Sequence, residues 1–364
     1  MLIKDVIFQL EQLAPSFYAE DFDNTGLLVG NKNNALNGIL VTLDTLENVV
    51  DEAIDNKCNL IVSFHPIIFK GLKKINGSNY VERTILKAIK NDIAIYAIHT
   101  ALDNAIIGVN DIICKKIGLI NTKILIPKSN TLKKLITYAP INAAELIKNK
   151  LFEVGAGKLG NYDECSFSSK GMGTFKGNNQ STPYVGIKNK QHQENELMIS
   201  LTFESHLEHL IIETLLKNHP YEEVAYEVLI LSNKNPYCGM GMIGEFKEAL
   251  KPEEALSHVK KIMNTNTIKH SKICKDYIKK VAVLGGSGSF AISAAKNKGA
   301  DLFITSDLKY HDFFQAENSI ILADIGHYES EQYTKLFLTE YLSKKFPSFA
   351  IVLSTTNTNP VKYF

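Results

Sequence analysis

Four apolar, strand-like runs in this chain end on histidine or carboxylate, and that recurrence restricts the fold more than any other feature. Leu60-Ile61-Val62-Ser63 runs into Phe64-His65-Pro66, and Ile93 to Ile98 runs into His99-Thr100-Ala101-Leu102-Asp103. Asp301 to Thr305 leads to Ser306-Asp307, and Ile320-Ile321-Leu322 leads to Ala323-Asp324-Ile325-Gly326-His327-Tyr328-Glu329-Ser330-Glu331. Helical patterns separate these runs: Val49, Val50, Ala53 and Ile54 share one apolar face, as do Tyr333, Leu336, Phe337 and Tyr341. Strands alternating with helices at this pace predict a parallel sheet covered by helices, with its functional crevice at the carboxyl ends of the strands. That rim is where His65, His99, Asp103, Asp307 and His327 fall.

The pattern changes between the first two runs and the last two. Strands are expected near 132–138, 164–175, 195–204 and 223–232, with helices near 143–152 and 206–218. The order β-α-β-β-α-β predicts a small ferredoxin-like α+β domain over residues 128–235. Within it, Asn179 to Gln193 is polar and reads as a surface loop. Residues 1–127 and 236–364 are then expected to form one discontinuous α/β metal-binding domain. A weak match of residues 56–65 with 297–307 suggests two related βαβ-type halves sharing one sheet.

Length and charge narrow the function. A chain of 364 residues exceeds the size at which single cores usually divide. A formal charge of +1 gives no electrostatic reason to expect nucleic acid or a membrane surface as partner. Five cysteines without any CxxC pair argue against a disulfide framework or a thiolate zinc site and fit a reducing compartment. No apolar run reaches the ~18 residues of a membrane span, and the first residues read as an amphipathic helix rather than a signal peptide. A cytoplasmic protein is expected.

His327 and Glu331 lie four apart at a helix start and project from one face. Taken singly, each strand-end residue has an ordinary structural explanation, such as a cap or a hydrogen-bonded loop histidine. Their convergence on one rim predicts a divalent-metal site of imidazole and carboxylate ligands, suited to Zn, Fe, Mn, Ni or Co. His99 and His311 are candidates for proton transfer. Gly285-Gly286-Ser287-Gly288, between a strand and a helix, and Lys309 are candidates for holding phosphates, although the spacing of both standard nucleotide motifs is absent.

Asp23-Asn24-Thr25-Gly26-Leu27, His65-Pro66-Ile67-Ile68-Phe69, His99 to Asp103, Asp307-Leu308-Lys309-Tyr310-His311 and Asp324 to Glu331 resemble, in order, the motifs of the NGG-one-interacting-factor-three-like family. Its members are widely called GTP cyclohydrolase I type 2 homologues. Gly155-Ala156-Gly157, Gly160 to Phe167 and His219-Pro220-Tyr221-Glu222-Glu223 resemble the extra domain of its longer form. The resemblance implies a dinuclear centre on His65, Asp103, His327 and Glu331, and a toroidal homo-oligomer, typically a hexamer. It implies a metal-dependent hydrolase in which hydroxide generated at the metal attacks a nucleotide or related compound. A non-catalytic metal-binding scaffold or regulator is the alternative. Where the family usually has two adjacent histidines before the proline, the first is Phe64 here, leaving one or two ions per chain as open outcomes.

Overall fold

The structure, a computed structural model, describes residues 1–364 as a mixed α/β protein with three sheets. In chain order its strands are β1 (Gly26–Val29), β2 (Ile39–Thr42), β3 (Leu60–Ser63), β4 (Ala94–Ala97), β5 (Leu119–Pro127), β6 (Leu132–Pro140), β7 (Ser166–Phe175) and β8 (His192–Glu204). They continue with β9 (Tyr226–Ile230), β10 (Gly239–Leu250), β11 (Lys269–His270), β12 (Ile278–Ser287), β13 (Leu302–Ser306), β14 (Ile321–Asp324) and β15 (Ile351–Leu353). Two compact units result, Met1–Pro127 with Pro236–Phe364, and Lys128–Asn235.

The first unit contains two sheets, where one was expected. One runs β1-β4-β3-β2-β15 and the other β11-β14-β13-β12-β10-β5. Each has a parallel core, β2-β3-β4 and β12-β13-β14, of strands buried on both faces. The single-sheet expectation fails because other strands occupy the edges by which the two cores might have joined, with parallel β15 on the β2 edge and antiparallel strands on the rest. β1 closes the β4 edge, while β10 and then β5 extend the β12 side. The long β5–β10 ribbon gave no clear period-2 signal in the sequence.

Alternation along the strands sorts their side chains into separate cores. Val41, Val62 and Tyr96 of the first sheet join Val281, Val283, Leu302 and Ile304 of the second in one cluster. On its other face the first sheet packs Leu40, Ile61 and Ile95 against Val49, Val50, Ala53 and Ile85 of the helices Glu47–Asp55 and Tyr80–Lys90. The second sheet packs Ala282, Leu284, Phe303 and Leu322 against Ile292 and Ala295 of the helix Ile292–Asn297. Burying one such aliphatic side chain is worth ~1.5–3 kcal/mol, so these strands are held rigidly and their carboxyl ends are well fixed.

The second unit is one antiparallel sheet in the order β7-β8-β6-β9. Leu135, Ala139, Ile199 and Leu201 on one of its faces pack against Ile147 and Leu151 of helix Ile141–Glu153 and Ile211 and Leu215 of helix Glu208–Asn218. No helix of the protein is long and apolar enough to cross a membrane.

Candidate metal centre

His65 follows β3, His327 opens the short helix after β14, and Glu331 ends that helix, so both parallel cores supply side chains to one point. His65 Nε2 and His327 Nε2 stand 3.1 and 3.2 Å from the same oxygen, Glu331 Oε2. Neither approach has the alignment of a hydrogen bond, and that buried oxygen has no hydrogen-bond donor. The other nitrogen of each ring is held by a carboxylate: His65 Nδ1 lies 2.8 Å from Asp44 Oδ1, and His327 Nδ1 lies 2.6 Å from Asp307 Oδ2. A carboxylate behind Nδ1 holds a proton there and directs Nε2 inward, the arrangement that orients histidine ligands to metals.

The charges of these groups act strongly on one another. Burial alone would lower the His65 imidazole, but Glu331 and Asp44 outweigh it and carry it up to about 10. Burial acts likewise on His327, which Asp307 and Glu331 raise to about 11. Burial alone would raise the Glu331 carboxyl, yet His65 and His327 bring it down to about 2. Asp103 is pushed well above the ordinary carboxylate range, by burial and then by the Glu331 charge. Its Oδ1 is also buried without a hydrogen-bond partner. Two buried carboxylates with unpartnered oxygens need protons or a cation to be tolerated.

His65, His327 and Glu331 could therefore hold a metal ion, their ligand atoms all lying within 4.8 Å of one another. Asp103 is outside that group and is linked to it through charge. Backbone geometry makes room for Glu331. Gly286 has a φ of +72°, and a Cβ there would lie 2.5 Å from Glu331 Oε1.

The other expected residues divide. His99 belongs to the same cluster, its ring 5.2 Å from that of His65. Its Nδ1 lies 2.7 Å from Asp23 Oδ1, while Asp23 Oδ2 accepts the Thr100 N–H at 3.1 Å. Burial alone would raise the Asp23 carboxyl, but His99 and Thr100 hold it at about 2. Phe64 is fully buried, with its ring 4.9 Å from His65 and 5.6 Å from His99, and it fills the place beside His65 with carbon. His311 is exposed, and its ring contacts are with Tyr310 and Phe314.

The glycine-rich turn does not offer the phosphate cradle expected of it. Gly285 N–H donates to Asn110 Oδ1 at 3.0 Å and Gly286 N–H to Ser330 Oγ at 2.9 Å, so these amides already have protein partners. Sequence reasoning also missed two contributors. Asp44 was visible only as a strand-end aspartate. The segment 358–363 gave no signal, yet Thr358 Oγ donates to Asp44 Oδ2 at 2.5 Å. With Lys269, Tyr328, Asn359 and Tyr363, the imidazoles and Asp44 line a cavity of about 410 Å³.

The family model for Duf34/NIF3 (NGG1p interacting factor 3) matches residues 1–360. The chain belongs to the Duf34/NIF3 family. Among Duf34/NIF3 relatives, a Bacillus subtilis protein named GTP cyclohydrolase 1 type 2 homolog is 37% identical, over 99% of this chain and 98% of its own. A Staphylococcus epidermidis protein of the same name is 35% identical over the full length of both. A crystal structure of a Bacillus cereus protein related to NIF3 superposes with a TM-score of 0.87 at 35% identity, covering 100% of this chain and 99% of that one.

Proposed function

We propose that this Duf34/NIF3 chain is a metal-dependent hydrolase in which His65, Asp103, His327 and Glu331 hold one or two divalent ions beside a nucleotide pocket. One observation carries this reading: two carboxylate-braced imidazoles aim their free nitrogens at a buried carboxylate oxygen that has no hydrogen-bond donor. The relatives' name makes GTP the first substrate to try. When bound, a divalent ion supplies Lewis acidity and makes water a usable nucleophile near neutral pH.

The protein's own groups account for positioning and proton transfer. Asp23 holds the proton of His99 on Nδ1, which leaves Nε2, without a protein partner, free to accept a proton from a reacting water. Lys269 lies on the cavity wall with its ammonium 2.8 Å from Asp324 Oδ2 and is largely exposed, placed to meet a phosphate at the mouth. Tyr328, Asn359 and Tyr363 shape the remaining wall.

The same reading takes residues 128–235 as an inserted ferredoxin-like domain, supported by the β-α-β-β-α-β order and the sheet order β7-β8-β6-β9. It takes the two halves of the first unit as related, and the chain as a cytoplasmic homohexamer, which light scattering of the purified protein tests.

Metal analysis of anaerobically purified protein, followed by a panel of nucleotides, tests the function. His327→Ala, Glu331→Ala and Asp103→Ala should each remove at least one equivalent of metal and leave the protein folded. Unchanged metal content in all three would eliminate the ligand set. Full metal content without turnover of any nucleotide would favour a metal-binding scaffold instead.

A further inference from the structure

A cavity of the second unit, about 700 Å³, lies well within the size range of small-molecule sites. It sits on the sheet face opposite the two helices. Tyr138 pairs with Met198, Met198 with Ser169, and Glu196 with Gly171, so these side chains share that face by strand register. Gly171 of β7 leaves open space on the floor, as strands do where a ligand approaches the backbone, and Gly173 makes room for Glu196. A Cβ on Gly173 would lie 2.2 Å from Glu196 Oε2, so glycine is required for the carboxylate to occupy its place.

Aromatic rings make the wall. Tyr221 lies 6.3 Å from Phe175 and 6.2 Å from Tyr184, centroid to centroid, in tilted packing. His219 fixes Tyr221: its Nδ1 accepts the Tyr221 N–H at 3.1 Å, and its Nε2 donates to the Tyr138 carbonyl at 2.9 Å. Burial keeps this imidazole below its ordinary pKa, which suits that neutral tautomer. The segment expected as a plain surface loop supplies Tyr184, and it is tied down where Thr182 N–H donates to Glu222 Oε1 at 2.6 Å.

The charged groups are predominantly acidic. Glu196, buried to 9% exposure, receives the Tyr221 hydroxyl on Oε1 at 2.7 Å, and its Oε2 has no protein donor. Three carboxylates, Glu196, Glu222 and Glu223, line the cavity against one base, Lys176. Such a lining repels phosphate. It favours a flat ring that stacks on the aromatic wall and donates N–H groups to the carboxylate.

We propose that the 128–235 unit carries a second ligand site, independent of the metal centre, for an unphosphorylated planar nitrogen heterocycle with paired N–H donors, the edge shared by guanine and pterins. Glu196 would accept that edge, and Tyr221, Tyr184 and Phe175 would hold the ring.

Calorimetric titration of the full chain in EDTA with guanosine, and separately with 6-hydroxymethylpterin, tests it. At least one should bind saturably with one site per chain, and the tighter of the two identifies the source of the shared edge. GMP and GTP should bind successively more weakly than guanosine. Glu196→Gln should weaken binding at least tenfold, and Tyr184→Ala, at a half-exposed position that carries little folding risk, several-fold. Absence of saturable binding by both compounds, tighter binding of GTP than guanosine, or unchanged affinity in both variants would overturn the proposal. Binding that survives metal removal separates this site from the proposed hydrolase centre.

Discussion

Replacing Phe64 with histidine asks whether the number of ions at the centre is limited by one side chain. Phe64 is fully buried and packs in the main core between the His65 and His99 rings. Exchanging the phenyl for an imidazole loses apolar contacts, and a polar ring without a partner adds a desolvation penalty of about 1–3 kcal/mol. In EDTA the variant should therefore be about 2–4 kcal/mol less stable than the parent by urea unfolding. With zinc the balance should reverse in part. A new imidazole beside His65 would create a second tight ion site, and ligand at 100 times its Kd returns about 2.7 kcal/mol. The assay is paired: unfolding curves with and without zinc, and metal equivalents by equilibrium dialysis. The parent should hold one tight equivalent and a second that mild chelation removes, whereas Phe64→His should hold two. A parent with two equally tight ions, or a variant with no zinc-dependent recovery, would refute the reasoning and point to His99 as the substitute ligand.

Three further outcomes are expected. In metal-free protein the raised His65 and His327 values stabilise the fold fully below the ordinary imidazole value of 6.5, and that stability is lost as pH rises through about 10 and 11. The lowered Glu331 value contributes above 4.5 and fails as pH falls toward about 2, so thermal unfolding in EDTA should be most resistant between pH 4.5 and 6.5 as far as these groups decide it. Metal affinity should instead rise with pH, since ions displace those protons, and parallel proton release in calorimetry checks this. Excision of residues 128–235 should leave a cooperatively folding, metal-binding core. Gly239 pairs with Pro127 across the β5–β10 ribbon, so a short linker there makes an ordinary hairpin; loss of both metal and cooperative unfolding would count against it.

The His327/Glu331 pair was legible because helical spacing is local, and both residues reach the site from one turn of chain. His65 and His99 were legible as strand ends, since buried parallel strands leave polar residues at one rim. What escaped notice depends on distant partners. Gly285 and Gly286 look like a phosphate turn until Asn110 and Ser330, 175 and 44 residues away, take their amides. Asp44 is an ordinary strand-end aspartate until β2 and β3 align in register and bring His65 against it. The division into two sheets escaped for the same reason, because edge pairing of β1, β5 and β10 is set by tertiary contact, not by period. His311, a candidate for proton transfer, has its ring against the exposed Tyr310 and Phe314.

That residues of the segment 358–363 line the cavity beside His65 and His327 has a practical side. Thr358 is bonded to the aspartate that braces His65, Asn359 Nδ2 donates to Glu329 Oε1 at 3.2 Å, and Tyr363 lines the cavity. A polyhistidine purification tag fused after Phe364 would hang a string of imidazoles within a few residues of that opening. Such a preparation would report the tag's metal along with any the protein holds, and the tag would crowd the mouth of the cavity. Material tagged at the other terminus, or with the tag removed, is the form in which stoichiometry and turnover have meaning.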